Sequence, residues 1–244
     1  MSRLSNPYFG YTYSPFTKII IPLFIIFSLE AKNYLFTFFG VLFLLLFYLF
    51  GAHKTVYLGI VIVFIFYKLS YSNLSVKVLK YSNILIVVST ILALFLVDDL
   101  WILIFRRLHF VPTLLDICYL DFFENNYLYW SESIFKSFVK YPYDMNHANV
   151  IGEYYFKKSD MGANNGLISD GYMNMGSIGV FVNVILVSIY FMIINNLNVP
   201  SRYFGLFFLT LISFISSSMF TVLFTHGGII LLLTVIFFMN EKEP

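Results

Sequence analysis

The segment "GANNGLISDGYMNMGSIG", residues 162–179, places Asn and Asp side chains among several glycines at the start of an apolar run. Removing an Asn or Asp side chain from water near lipid costs free energy unless its polar atoms are hydrogen-bonded. We therefore expect Asn165, Asp170 and Asn174 to line a wet cavity rather than face acyl chains. An alternative is that Asp170 and Asn174 cap the helix that follows, because both residue types favour helix starts.

Two glycines in this segment have a spacing that matters for packing. Gly176 and Gly179 lie three residues apart where the apolar run begins. Small residues at such a spacing let helices approach closely, and glycine also permits turns. We expect these glycines to mark a tight helix contact.

The composition identifies the class of protein. Charged residues make up 11% of the 244 residues and hydrophobic residues 59%, whereas soluble domains carry about 25% charged residues. We therefore expect a membrane protein. The 15 Lys and Arg are scattered rather than arranged in a stripe, which argues against a nucleic-acid partner. The single cysteine, Cys118, is expected to be a packing residue, and no metal-ligand spacing is present.

Seven apolar runs predict transmembrane helices. The runs are Ile19–Leu29, Tyr34–Phe50, Val56–Tyr67, Ile84–Val97, Ile178–Ile194, Tyr203–Phe224 and Ile229–Met239. They are continuous rather than alternating, which favours helices over a β-barrel. We predict an all-α, polytopic transmembrane bundle of about seven spans. N-terminal helices would occupy residues 1–105, an external loop 106–175, and C-terminal helices 176–244.

The long loop carries the most information. Lys68–Ser82 holds three Lys and no acidic residue, which predicts a cytoplasmic position, and alternation then places residues 106–175 outside. That loop has fifteen aromatic residues, whereas disordered segments are poor in aromatics. We expect it to form short amphipathic helices at the outer interface. The aromatic residues are typical of a membrane interface; an alternative is that, with Asn, Asp and Ser, they form a sugar site.

Six sequence blocks stand out by their order and spacing. They are "FGAHKTVYL" (50–58), "RRLHFVPTLLDICYLDFF" (106–123), "YWSESIFKSF" (129–138), "IGEYYF" (151–156), "NNGLISDGYMNMGSIGV" (164–180) and "FTHGG" (224–228). In this order they resemble the Wzy-type O-antigen or oligosaccharide repeat-unit polymerases. The resemblance covers residues 32–244. Because such polymerases have more spans, it also implies that N-terminal spans are missing here.

The resemblance implies glycosyl transfer outside the cytoplasmic (inner) membrane. The substrate would be an oligosaccharide on undecaprenyl diphosphate, moved onto the non-reducing end of a new repeat unit without a cofactor or a metal. A chain-length regulator is a further candidate partner. An O-antigen ligase is the alternative within the same fold. A polysaccharide transporter or flippase and an inactive polymerase fragment are the others.

The implied reaction requires groups that hold a diphosphate at the outer interface. Arginine suits this task, because its planar guanidinium makes paired hydrogen bonds to phosphate oxygens and stays charged. Arg106 and Arg107 are the first candidates, with interfacial anchoring as the alternative. Lys54 and His226 are further candidates. Their alternatives are a helix-end cation and a satisfied polar residue between helices.

The implied reaction also requires that an acceptor hydroxyl be oriented and lose its proton. Asp170 and His147 are the candidate catalytic residues, and His is the side chain most often used for proton transfer near neutral pH. Asn165 and Asn174 would bind the substrate beside them. Glu153 is a third candidate for the base.

Overall fold

The computed structural model describes residues 12–51, 55–68, 74–95 and 101–239. These residues form helices and connecting turns, with no strand among them. The all-α class is therefore confirmed for the described part of the chain. Contacts divide the chain into two compact units. The first unit comprises Met1–Ser72, Tyr190–Ser213 and Phe220–Pro244, and the second Asn73–Ile189 and Phe214–Met219.

Seven α-helices in the described ranges overlap the predicted apolar runs, and two more lie within the predicted loop. They are α1 (Ile21–Glu30), α2 (Tyr34–Gly51), α3 (Thr55–Lys68), α4 (Leu74–Leu94), α5 (Val111–Phe122), α6 (His147–Phe156), α7 (Leu167–Asn195), α8 (Phe204–Ser213) and α9 (Gly228–Thr234). Stretches of π-helix lie at Phe16–Ile20, Ile102–Phe110, Thr221–Thr225 and Val235–Met239.

Within the described residues, three helical stretches are long and apolar enough to cross a membrane, which indicates a membrane protein. They are Thr12–Glu30, Val76–Leu94 and Leu167–Asn195. Shorter apolar helices cover Tyr34–Leu49, Gly59–Lys68, Ser201–Ser213 and Gly228–Met239. A fully spanning helix needs about 20 residues, so the count of seven spans stays a prediction.

Two predicted boundaries are wrong. Lys77 and Lys80 lie inside α4, which begins at Leu74, rather than in a loop. The run Tyr203–Phe224 is also not one helix, because α8 ends at Ser213 and turns follow over residues 214–217. The serines at 216–218 explain this break, since serine side chains compete for backbone hydrogen bonds and favour turns.

Residues 106–175 fold around an apolar core of their own. Its buried members are Leu115, Cys118, Tyr119, Phe123, Leu128, Ile151, Ala163 and Met173. Tyr119 is fully buried, and its hydroxyl donates a 2.7 Å hydrogen bond to the Ala163 carbonyl oxygen. Helices α5 and α6 agree with the prediction of short helices, and Cys118 packs in the core as expected. Residues 129–138, predicted to be helical, instead form successive turns.

Candidate functional site

Helix α7 is interrupted at Met175 and Gly176. Gly176 has φ 60° and ψ −145°, a combination close to the region that is essentially restricted to glycine. The interruption brings Gly179 against Gly171, where a Cβ added to Gly179 would lie only 2.0 Å from the Gly171 carbonyl oxygen. Of the two glycines expected to mark a tight contact, Gly179 makes one with Gly171 in the same helix, whereas Gly176 lies against the Tyr127 side chain.

The kink in α7 places Asn183 beside Asp170. The Oδ2 atom of Asp170 accepts hydrogen bonds from Asn183 Nδ2 at 3.0 Å and from the Met219 backbone N–H at 3.2 Å. The Oδ1 atom accepts from the side-chain amides of Asn165 and Asn174 at 3.4 and 3.3 Å. Asp170 is 2% exposed. A buried carboxylate is costly unless donors compensate it, and here four neutral donors do so.

This geometry favours a structural role for Asp170 over the predicted role of base. Both of its carboxylate oxygens already accept hydrogen bonds, so an acceptor hydroxyl could reach it only by displacing one of these donors. The capping alternative is wrong for Asp170, because its partners are Asn side chains and the Met219 N–H. The start of α7 is instead held by Ser169, whose Oγ accepts from the Gly166 N–H at 2.8 Å.

Asn174 holds an unusual turn at Tyr129 and Trp130. These two residues have positive φ angles of 51° and 53°, a left-handed conformation that costs about 1–2 kcal/mol per residue for L-amino acids. The Asn174 carbonyl oxygen accepts from the Tyr129 N–H, and its Oδ1 accepts from the Trp130 N–H. These two hydrogen bonds explain why the strained turn persists.

Glu132 and His147 form a partly exposed pair in the same unit. His147 is the first residue of α6, directly after the N-cap Asn146. The Oε2 atom of Glu132 hydrogen-bonds to Nδ1 of His147 and accepts from its backbone N–H at 3.3 Å. The His147 and Glu132 side chains are 21% and 32% exposed, so solvent or a ligand can reach them. A carboxylate in this position fixes the tautomer and orientation of the imidazole.

The electrostatics of Glu132 follow from its partner. Burial alone would raise the pKa of Glu132, but the hydrogen bonds and positive charge of His147 outweigh burial and hold that pKa below its usual range. Glu132 was not among the predicted site residues. Its only signal is that it is the acidic residue in "WSESIF", an otherwise aromatic and polar stretch.

A chain of hydrogen bonds links the pair to Asp170. His147 Nε2 lies 3.4 Å from Asn165 Oδ1, and Asn165 Nδ2 donates to Asp170. An ionised carboxylate can only accept, so Asn165 must turn its nitrogen toward Asp170 and its oxygen toward His147. Every group in the chain is then satisfied when His147 carries a proton on both ring nitrogens. The chain therefore connects the partly exposed pair to the buried carboxylate.

No family model, curated protein or solved structure matches this chain. Among the described residues, no three His, Cys, Asp or Glu side chains converge as metal ligands would. The candidate site is therefore defined by its own geometry. It consists of the Glu132–His147 pair with Asn165 and Asp170 behind it.

The candidate diphosphate contacts are placed separately. Arg106 lies in the π-helical stretch before α5, and its side chain is exposed. It forms no ion pair with any described carboxylate. Arg107 follows in the same stretch, but its side chain, like Lys54, lies outside the described residues.

His226 belongs to the other compact unit. Its Nδ1 lies 3.1 Å from the Nζ of Lys18, which also donates to Ser213 Oγ at 3.0 Å. An ammonium group can only donate, so Nδ1 of His226 accepts in this contact. Lys18 was not among the predicted residues. It sits directly before the first apolar run, 208 positions from His226.

Proposed function

We propose that this chain is a membrane glycosyltransferase that polymerises lipid-linked oligosaccharide repeat units of an O-antigen, capsule or exopolysaccharide. The donor is glycan on undecaprenyl diphosphate, and the acceptor is the non-reducing end of a new repeat unit. The order of the sequence blocks supports this reaction class. The observation that carries the proposal is the partly exposed Glu132–His147 pair, because glycosyl transfer to a hydroxyl needs a group that accepts its proton.

In the proposed reaction, His147 takes the proton of the acceptor hydroxyl. When the imidazolium gives up one proton, Glu132 retains the N–H at Nδ1, so the lone pair appears at Nε2. The acceptor hydroxyl then replaces Asn165 Oδ1 as the partner of Nε2, a contact that is long at 3.4 Å. The acceptor oxygen bonds to the anomeric carbon while the bond from that carbon to the diphosphate oxygen breaks. The proton passes to Nε2 and then to water, and undecaprenyl diphosphate leaves.

The substrate contacts in this proposal are the basic and amide residues. Arg106 and Arg107 bind the diphosphate, and Lys54 and His226 are further contacts. The exposed Arg106, which has no carboxylate partner among the described residues, supports this assignment. Asn165 suits a ligand contact near the base better than Asn174, because Asn165 contacts His147, whereas Asn174 serves Asp170 and Trp130.

The proposal fixes a membrane arrangement that can be measured. The chain would cross the inner membrane about seven times, with residues 106–175 outside and a chain-length regulator as a candidate partner. We expect His147→Cys, in a Cys118→Ala background, to react with an impermeant maleimide in intact cells. Labelling only after permeabilisation would place the site on the cytoplasmic side and overturn the proposal.

Glycan length tests the catalytic assignment. In a host whose surface polymer depends on this chain, deletion should leave single-repeat glycan. We expect His147→Ala to give the same result, and Glu132→Gln to slow polymerisation by about 10²–10⁴-fold, the range for losing acid–base assistance. Asp160→Asn is the matched control, because Asp160 is an exposed acid of the same unit and was not among the candidate site residues. It should keep the full ladder, at equal membrane abundance.

Other patterns of glycan would point to other functions. Loss of all glycan from the lipid core on deletion would indicate a ligase. Accumulation of lipid-linked repeat units on the cytoplasmic side would indicate a flippase. A normal ladder with His147→Ala and with Arg106→Ala would show that neither side chain is needed, as expected for a non-catalytic fragment.

A further inference from the structure

A groove of about 550 Å³ lies in the second compact unit beside the strained turn. Its polar and aromatic lining comprises Asn125, Asn126, Tyr127, Tyr129, Lys140 and Tyr143. The volume falls within the range of about 300–1,000 Å³ that is usual for small-molecule sites. The Glu132–His147 pair does not line this groove, so the groove is a separate feature of the unit.

The side chains of the groove match the chemistry of a sugar, and we infer that the groove binds a saccharide. Asn125 and Asn126 are both exposed, and each amide can donate and accept, as a pair of sugar hydroxyls does. Tyr129 is 48% exposed and offers a ring face against which the C–H surface of a pyranose can pack, and a hydroxyl that can hydrogen-bond.

Other ligand classes fit the same lining less well. A purely apolar ligand would cover the two adjacent amides and leave their donors and acceptors unpaired, which costs free energy. A strongly anionic ligand would find one cation in the lining, Lys140, and a cationic ligand would find no carboxylate there. A neutral sugar, or one with a single carboxylate, satisfies the whole set.

The groove wall is held in place before any ligand arrives. Tyr129 is fixed by its hydrogen bond to Asn174, and the Tyr127 ring packs edge-on against the rings of Tyr129 and Tyr172, with centroids 6.3 Å apart in both pairs. The Tyr127 hydroxyl also occupies the space that a Cβ at Gly176 would need, only 2.7 Å away. Fixing these rings in advance lowers the entropy cost of binding.

Under the proposed function, the sugar in this groove is the acceptor repeat unit. That assignment rests on the proposed function, whereas saccharide binding does not. The probe is the repeat-unit oligosaccharide released by mild acid from the host's surface polymer. Calorimetric titration of the full chain in detergent should show binding. The double variant Asn125→Ala, Asn126→Ala should weaken it at least tenfold, and Lys140→Ala should weaken it selectively if the sugar carries a carboxylate.

The matched control is Asn164→Ala, which removes an exposed amide that does not line the groove. It should bind like the wild type, and unchanged maleimide labelling of buried Cys118 would show that each variant remains folded. Absence of heat from the wild type, or equal affinity in the double variant, would overturn the inference.

Two results separate this inference from the proposed function. His147→Ala should bind the oligosaccharide with wild-type affinity while it fails to polymerise. If the wild type binds the oligosaccharide but deletion leaves polymer length unchanged, the polymerase proposal falls and the groove assignment stands. If polymer length depends on the chain but the double variant binds and polymerises normally, the groove assignment falls alone.

Discussion

In each compact unit a charged side chain is enclosed by neutral partners, Lys18 in the first and Asp170 in the second, and the two charges are satisfied to different degrees. In the first unit, Lys18 donates to Ser213 and contacts His226. In the second unit, Asp170 accepts from four donors through both oxygens and is 2% exposed. An ammonium carries three donors, and contacts in the described part of the chain account for two of those on Lys18.

The difference distinguishes charges with a structural role, which we call framework, from charges that could take part in catalysis or binding. A charge whose hydrogen-bonding capacity is filled by the protein holds elements together and has little left for a ligand. Asp170 fits this description, because its partners come from the residues just before α7, from both parts of α7 and from Met219, beyond the turns that follow α8. Lys18 and the Glu132–His147 pair keep unused capacity or exposure, so they are better placed to meet a substrate.

The largest effect should come from removing the filled charge. Asp170→Ala removes the acceptor of the Asn165 amide and of the Met219 N–H, whereas the Asn174 and Asn183 amides keep backbone oxygens as acceptors. Each buried donor left unpaired costs about 1–3 kcal/mol. Cys118 reports the loss, because it is the single cysteine and is 6% exposed in the core of the same unit. We expect its maleimide labelling to rise more than a hundredfold, following the population of the opened unit.

Asp170→Asn is the graded control for this experiment. It keeps one oxygen as an acceptor and turns the other into a donor that faces the existing donors, so the increase in labelling should be smaller than for alanine. Labelling of Cys118 at the wild-type rate in Asp170→Ala would contradict the framework role.

The contacts around Asp170 and those around Lys18 also differ in how well the sequence predicts them. Asn165, Asp170 and Asn174 lie within one short segment. The free-energy cost of removing their side chains from water near lipid identified them as a group. Asn183 joins them only because Gly176 interrupts α7, and a local pattern does not show where the chain turns back. The contacts of Lys18 span 195 and 208 positions, so no local signal connects them.

The helices and the strained turn also show that a local sequence pattern predicts local structure but not contacts between distant residues. Continuous apolar runs predicted the helices, because burial in lipid or core imposes a pattern that can be read locally. The turn at Tyr129 and Trp130 was predicted to be helical, because apolar residues around it recur at roughly helical spacing. Its conformation is set by hydrogen bonds to Asn174, about 44 positions later in the chain.

Gly176 and Gly227, one in each unit, allow the stability cost of a glycine-to-alanine substitution to be compared between the units. Gly176→Ala places a side chain at a glycine-only conformation and 2.7 Å from the Tyr127 hydroxyl, so we expect a loss of about 3 kcal/mol. Gly227 has φ 87° and ψ 17°, the left-handed region that costs other residues only about 1–2 kcal/mol. Its added Cβ would meet the end of the Ile19 side chain at 3.0 Å, which can shift.

Thermal unfolding by circular dichroism and Cys118 labelling together check this pair. Gly176→Ala should raise the labelling rate strongly, while Gly227→Ala should lower the melting temperature modestly and leave labelling near the wild-type rate. Equal labelling in both variants would mean that the two units open together. The contributions of the Lys18 and Asp170 contacts to stability could then not be measured separately.

The smallest effect on stability should come from Lys18→Met. Methionine has a similar length, and replacing a partly buried charge by an apolar residue is often neutral or favourable, because the desolvation cost disappears. The variant loses two contacts with neutral groups, so we expect the free energy of unfolding to change by less than about 1 kcal/mol. A loss as large as that of Asp170→Ala would show that Lys18 is also framework. If the variant is instead stable but makes shorter polymer than the wild type, the third donor of Lys18 serves a ligand. Lys18 would then take part in chemistry, whereas Asp170 holds the structure together.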